Sequence, residues 1–383
     1  MMAWLFWSCA VLFLYVYVGY PLVLALWSRG KGEHPRDPAC TPPVTIIIAA
    51  YNEASYIADK VKNALASDYP PDRLQVIVVS DGSDDGTVQL VREITDPRLR
   101  FLELPRRRGK ANALNAALGH ATGRVLIFTD ANVFFQFGAV RRLAGHFRDP
   151  DCGCVTGRVD LLPMGAGEPL GEGAYMRFER WLQARESAVA TVVGTDGALF
   201  AVRRELVQPL PEGIVLDDFL IAMRVADQGR RTYYDHAATA VERVPASVSQ
   251  EFRRKVRIAA GGFQVLPLLG FLRRPLDWPA LWFCFVSHKL LRWLSPWWML
   301  GLLVSSAALT VQGQMLYMPV LLVQLLLYGL ALTAWLSGSA RRFGVFYVPY
   351  YFTAVNLALL FGLQRHFLGG QSVIWQRVNR EKG

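Results

Sequence analysis

Two stretches of the chain carry no charge at all, and a polar-patterned middle lies between them. Met1 to Ser28 contains no charged side chain. Its segment Trp4–Trp27 is long enough to cross a bilayer core of about 30 Å, which takes roughly 20 helical residues. A cleaved leader would show a basic start, a shorter apolar core and a small-residue cleavage site. None is present, so an uncleaved anchor is expected. Met299 to Ala340 is again free of charge. That run is too long for one helix, and Gln312-Gly313-Gln314 offers a turn. Two spans are expected, at about 290–311 and 316–336. A third apolar run follows at 345–363. Crossing would leave the tail outside, whereas Arg377, Arg380 and Lys382 favour the inside. Crossing and lying re-entrant or interfacial both stay open for this run.

The middle alternates short apolar runs with amphipathic ones. Val44–Ala49 and Leu74–Val79 are β-branched and apolar, which predicts buried strands. Arg100–Leu104 and Arg124–Phe128 predict two more. Helices are predicted between them: one opened by Asn52 and Glu53 with Ile57, Val61 and Leu65 at helical spacing, one from Thr87, and one over Lys110–Leu118. This order implies an α/β fold, a mainly parallel sheet with helices on both faces. Ligands bind such sheets beyond the carboxyl ends of the strands. There the chain places Tyr51-Asn52-Glu53, Asp81 and Asp130-Ala131-Asn132. The division expected is an anchor over 1–28, a globular unit over 42–245, amphipathic interfacial helices over 246–289, an apolar region over 290–367 and a basic tail over 368–383.

Composition sharpens this picture. Of 383 residues, 52% are hydrophobic and only 19% charged, below the roughly 25% usual in soluble domains. That excludes a disordered chain and argues against a purely soluble one. Five cysteines exclude a disulfide scaffold. Cys152 and Cys154 have no nearby ligand partners, so ordinary structural cysteines are expected rather than zinc. His236 and His288 stand alone and are given no chemistry. The net charge of +10 fits nucleic acid, anionic lipid or a phosphorylated substrate, and the position of the charges decides. Arg29, Lys31 and Arg36 follow the first apolar run and place its C-terminal end in the cytoplasm. Between 247 and 293 cations mix with Phe, Leu and Trp, as in helices lying among lipid headgroups. The expected partners include the bilayer and exclude nucleic acid.

No G-x-G-x-x-G follows the first strand, which disfavours a dinucleotide. Arg108-Gly109-Lys110 lacks the first glycine and the Ser/Thr of a P-loop. What remains is an Asp-rich site with one Gly-Lys turn at a helix start. Carboxylates do not bind phosphate directly, but they bind a divalent cation that bridges to it. Lys110 and the helix start behind it add positive potential.

The strings TIIIAAYNEA, VIVVSDGSDDGT, RRRGKANALNAAL, FTDANVFF, GTDGALFAVRREL, LDDFLIAMRVADQGRR and FRRKVRIAAGGFQ follow one another over about residues 42–265. Together they resemble family-2 inverting glycosyltransferases of the GT-A fold, in the membrane-integrated branch that holds hyaluronan, chitin, cellulose and poly-N-acetylglucosamine synthases and smaller exopolysaccharide transferases. The resemblance implies a nucleotide-sugar donor, taken as UDP-linked, and a growing polysaccharide or lipid-linked acceptor. It implies Mg²⁺ or Mn²⁺ as cofactor, and a bacterial-type plasma (inner) membrane with the catalytic domain cytoplasmic. An export partner or an oligomer is compatible with it. By matching position, Asp81 reads the nucleobase, Tyr51 and Glu53 contact base and ribose, and Lys110 lies near the nucleotide. Asp130 heads the DxD motif that supports metal and diphosphate, with Asn132 in place of its second aspartate. Asp218 matches the general base, and Asp217 stands beside it as a second catalytic candidate or a helix cap. Thr195 and Asp196 are an acceptor-side loop or a plain turn. Arg106-Arg107-Arg108 is a solvated run or a phosphate or lipid contact.

An inverting transfer is one displacement at the anomeric carbon. A carboxylate must take the acceptor's proton, help worth about 10²–10⁴-fold, and a cation must meet the leaving diphosphate. The family's processive members carry QxxRW on an interfacial helix. Here Arg254 and Arg257 hold that register, on the acceptor and diphosphate side, and Ile258 stands where Trp would stack on a sugar. The departure counts against processive polymerisation, as do only about four spans. Polymer synthesis and single-sugar transfer to a lipid both stay open. The rivals are a non-catalytic membrane scaffold, disfavoured by the survival of Asp81, Asp130 and Asp218, and a transporter, disfavoured by too few spans.

Overall fold

A computed structural model describes residues 1–164, 170–245 and 248–368. Its centre is an eight-stranded sheet in the order β3-β2-β1-β4-β7-β6-β8-β5. The strands are β1 Val44–Ala50, β2 Leu74–Asp81, β3 Leu99–Leu104, β4 Val125–Asp130, β5 Val133–Phe135, β6 Cys152–Met164, β7 Phe200–Arg203 and β8 Arg231–Pro245. β1 pairs in parallel with β2 and β4, and β2 with β3. β6 and β8 also run parallel, whereas β7 and β5 join antiparallel. The four expected strands therefore form one half of the sheet.

Alternation in β1 explains its unbroken apolar run. Ile46 and Ile48 face one apolar layer, with Ile57, Val61 and Leu143. Ile47 and Ala49 face the other, with Leu114, Leu220 and Met223. A strand covered on both faces needs no polar side. Each such side chain contributes about 1.5–3 kcal/mol of burial. The helix expected to open at Asn52 begins only at Ile57. Asn52 instead takes a left-handed backbone conformation (φ 55°). Its side chain exchanges hydrogen bonds with Asp84, donating from Nδ2 at 2.7 Å and accepting the Asp84 N–H at 3.0 Å. A local amide-to-turn bond competes with helix entry, so residues 51–54 stay as a loop laced to the loop after β2.

Among the described residues, three helices are long and apolar enough to cross a membrane: Met2–Trp27, Met315–Leu336 and Gly344–Phe367. The expected span at 290–311 is instead a pair, Pro279–Trp293 and Ser295–Val311, bent by 55°. The break at Leu294 precedes Ser295 and Pro296, and proline supplies no N–H to continue the ladder. The third apolar run forms the helix Gly344–Phe367 and packs along Val248–Val265. Tyr351 sits under Lys255, and His366 lies beside Phe263. A side chain at Gly362 would collide with Ala259 and Ala260. On the same helix a Cβ at Gly261 would stand 2.9 Å from Leu216, and one at Gly262 2.8 Å from Trp293. The run Ala259-Ala260-Gly261-Gly262 thus lets three neighbours approach its backbone. One of them is the segment that leads into Asp217.

Candidate active site

Lys110, after β3, and Asp130, the last residue of β4, meet the start of the helix Asp217–Asp227 at one end of the sheet. Asp81 ends β2, is fully buried, and accepts the N–H groups of Arg108 (2.9 Å) and Gly109 (2.7 Å). In this structure it orders the loop that carries Lys110. Gly82 makes that possible: its φ is +68°, and an added Cβ would stand 2.8 Å from the Arg107 nitrogen. The Arg107 guanidinium in turn stacks 3.6 Å from the Tyr51 ring, and its Nε and Nη2 are buried without a hydrogen-bond partner among the described residues. Glu53 donates its backbone N–H to Thr87 at 2.9 Å.

Lys110 is the hub. Its Nζ donates to Asp130 Oδ1 at 2.8 Å and lies 3.5 Å from Asp217 Oδ2. Burial opposes its charge, but Asp130 and Asp217 outweigh that and hold its pKa above the ordinary lysine value. Asp217 is almost fully buried; burial pushes its carboxyl up, and Lys110 pulls the other way. Burial first, and then the charge of Asp217, pushes Asp218 up to about 7. Gly197 lies against Asp218: a Cβ there would be 2.7 Å from Oδ2. The segment Thr195-Asp196-Gly197 is therefore brought beside the candidate base. Burial, and then Glu242, pushes Asp196 up to about 6. Its backbone N–H is held by Thr156 at 2.9 Å, and Thr195 Oγ1 is buried without a partner among the described residues. Arg254 and Arg257 lie on Val248–Val265. Burial and the neighbouring Arg254 lower the Arg257 pKa, while Asp217 and Asp130 raise it, so Arg257 shares the field of both carboxylates. Ile258 is 39% exposed.

Asn132 donates from Nδ2 to Glu242 Oε1 at 3.0 Å. Asp130 spends Oδ1 on Lys110, and no other side-chain hydrogen bond engages its carboxylate among the described residues. Asp130 and the Asn132 carbonyl are hard oxygen donors two residues apart, which suits Mg²⁺ or Mn²⁺. Among the described residues no three His, Cys, Asp or Glu side chains group to hold a metal. Beneath Asp130, the fully buried Lys60 donates to Thr129 Oγ1 at 3.1 Å. Burial holds its pKa well below the usual lysine value.

Two histidines read as isolated have partners. His236 Nδ1 is 3.4 Å from Glu33. His288 is buried between two carboxylates, Nδ1 2.6 Å from Glu186 Oε1 and Nε2 3.2 Å from Glu179. Glu186 also accepts from the Tyr20 hydroxyl (2.7 Å) and from the Val193 N–H (3.2 Å). Glu179 and Glu186 stand seven residues apart, two turns on one helix face. That spacing was a readable signal; the partner His288 was not, being 102 residues from Glu186. Cys152 and Cys154 are free and buried in β6.

Residues 45–204 match the family described as Glycosyl transferase family 2. The poly-beta-1,6-N-acetyl-D-glucosamine synthase of Staphylococcus aureus (strain COL) is 27% identical over 231 residues, 58% of this chain and 55% of that protein. The synthase of the same name from Staphylococcus epidermidis is 23% identical over 244 residues, 62% of this chain and 57% of that protein. The chain thus spans about half the length of the curated relatives it matches. Among solved structures, a mannosyltransferase from Pyrobaculum calidifontis in complex with GDP-Man and Mn²⁺ is 25% identical with a TM-score of 0.75. That likeness covers 97% of this chain and 100% of that one.

Proposed function

Since residues 45–204 form a glycosyltransferase family 2 domain on a GT-A-like α/β fold, we propose that the chain is a membrane-bound inverting transferase. It moves a sugar from a nucleoside-diphosphate sugar to a glycan or lipid-linked acceptor. The observation that carries this reading is the meeting of Asp218, Asp217, Lys110 and Asp130 at one end of the sheet, with Gly197 of the acceptor-side loop against Asp218. A hydroxyl oxygen of the acceptor attacks the anomeric carbon, and its proton passes to the Asp218 carboxylate. The bond from that carbon to the diphosphate oxygen breaks on the opposite face, and the nucleoside diphosphate leaves. A carboxylate with a raised pKa is the stronger base, so the burial of Asp218 suits its task. Lys110 is already charged and anchored, ready to face the leaving diphosphate without reorganisation. A divalent cation held at Asp130 and Asn132 would neutralise charge developing on that diphosphate.

Tyr51 and Arg107 form a stacked wall at the nucleotide end, where Glu53 also lies. Asp81 serves first by holding Arg108 and Gly109; base recognition would add to that role. Ile258 in place of an indole favours single-sugar transfer over processive synthesis. The apolar helices anchor the domain in a plasma membrane of bacterial type. Arg29, Lys31 and Arg36 set it on the cytoplasmic side. The test is purified full chain in lipid nanodiscs with Mn²⁺ or Mg²⁺ and a panel of radiolabelled UDP- and GDP-sugars. Label should enter a lipid-extractable or polymeric product from one of them and stop in excess chelator. Label that stays entirely in intact donor across the panel contradicts the reading, and the reacting donor separates uridine from guanosine recognition.

A further inference from the structure

Asn132 is 4% exposed, and its side chain is not free to turn. Nδ2 donates to Glu242 Oε1 at 3.0 Å, and no other hydrogen bond of this side chain occurs among the described residues. An amide has a donor end and an acceptor end, whereas an ionised carboxylate only accepts. Beside Glu242 the donor end must therefore face β8, and the carbonyl Oδ1 must face away from it. The backbone fixes Glu242 in this place. In the pairing of β5 with β8, Val133 lies opposite Glu242, and in the pairing of β6 with β8, Leu161 does. Glu242 is thus clamped between two strands, one residue in register from Asn132.

We propose that Glu242 is the positioning residue of the cation site. It turns Asn132 so that Oδ1, and not the N–H₂ group, is offered to a divalent cation. Its own charge, one hydrogen bond away, replaces the charge that an amide lacks. The proposal rests on the reading of Asp130 and Asn132 as the cation site. Groups behind a metal ligand commonly orient it and raise its donor strength, and removing them costs about 10–100-fold in metal affinity. Glu242 also acts on Asp196, whose carboxyl it helps to raise. Its negative charge is therefore felt on the acceptor side as well. An aspartate at 132 would meet Glu242 carboxylate to carboxylate, with no donor between them, and the two like charges would repel. Asn132→Asp alone therefore gains nothing, and the pair works as a unit: amide with carboxylate, in either order.

The experiment is Mn²⁺ titration of full chain in nanodiscs, with free Mn²⁺ read by electron paramagnetic resonance, in the presence and absence of UDP or GDP. No turnover is needed. The variants are Glu242→Ala, Glu242→Gln, Asn132→Asp and the double Asn132→Asp/Glu242→Gln, each checked for cooperative thermal unfolding. Glu242→Ala should weaken Mn²⁺ binding at least about 10-fold, Asn132→Asp should not tighten it, and the double variant should recover wild-type affinity or better. The isosteric Glu242→Gln carries the test if the alanine variant does not fold. Wild-type uptake of Mn²⁺ that is unchanged in both Glu242 variants overturns the role of Glu242. So does an Asn132→Asp variant as tight as the double. A wild-type protein that takes up no Mn²⁺ overturns the cation site itself, which is a separate failure.

Discussion

Gly197→Ala tests the position of the proton acceptor without touching the acceptor itself. An ideal Cβ at Gly197 stands 2.7 Å from Asp218 Oδ2, 2.9 Å from Cγ and 3.3 Å from Cβ. The first distance is roughly 0.7 Å short of ordinary van der Waals contact. Gly197 does not use a left-handed backbone, so alanine brings no conformational penalty of its own. The strain must fall on the Asp218 carboxylate or on the loop that faces it. The carboxylate has little room to retreat, because Asp218 lies in the first turn of a helix whose Phe219 and Leu220 are buried in the core. A shift of most of an ångström in a reacting group costs about 10²-fold in rate. The expected outcome is a transfer rate lowered by about that factor, with affinity for nucleoside diphosphate, measured by calorimetry, unchanged. The Lys110–Asp130 contact involves neither Gly197 nor Asp218 and should not move. A Gly197→Ala variant that transfers at the wild-type rate would refute the placement of the base.

Three further outcomes follow from the structure. Asp218 acts only when deprotonated, and its carboxyl is raised to about 7 by burial and Asp217; transfer should therefore fall as the pH drops through about 7 and level off above it. Asp217→Asn removes a negative neighbour, so the midpoint of a pH–rate profile should move down; a midpoint that stays or rises contradicts the coupling. Glu186→Ala leaves buried His288 facing one carboxylate and strips Tyr20 of its acceptor. Leaving buried hydrogen-bonding groups without their acceptor costs about 1–3 kcal/mol each, so the midpoint of thermal unfolding in detergent should fall clearly, and an unchanged midpoint would mean the cluster adds no stability.

The half of the sheet built from β1 to β4 was legible because its strands are buried on both faces and read as unbroken apolar runs. Val44–Ala50 and Leu74–Asp81 emerge within two residues of the expected bounds. The other half was not. β6 and β8 carry Arg158, Asp160, Asp235 and His236 within their length, and their pairing bridges some 80 residues with a shift in register between Thr156 and Arg158. No local pattern announces such a pairing. The catalytic candidates were named from a resemblance whose motifs mark them one loop at a time. Their mutual contacts were not, since Lys110 and Asp217 are brought together by the sheet and not by the chain. Glu242 was missed for the same reason, lying 110 residues from Asn132. Asp81 was placed correctly at the end of its strand, but its grip on Arg108 and Gly109 depends on the fold of another loop.

The base assignment is tested most directly by comparing Asp218→Asn with Asp217→Asn for transfer from the reacting donor, with nucleoside-diphosphate binding followed in parallel. Asparagine keeps the shape of the side chain and removes its basicity. The account predicts that Asp218→Asn loses at least about 10²-fold in transfer while nucleotide binding survives, and that Asp217→Asn loses less. Transfer near the wild-type rate in Asp218→Asn, with the loss falling on Asp217→Asn instead, would contradict it.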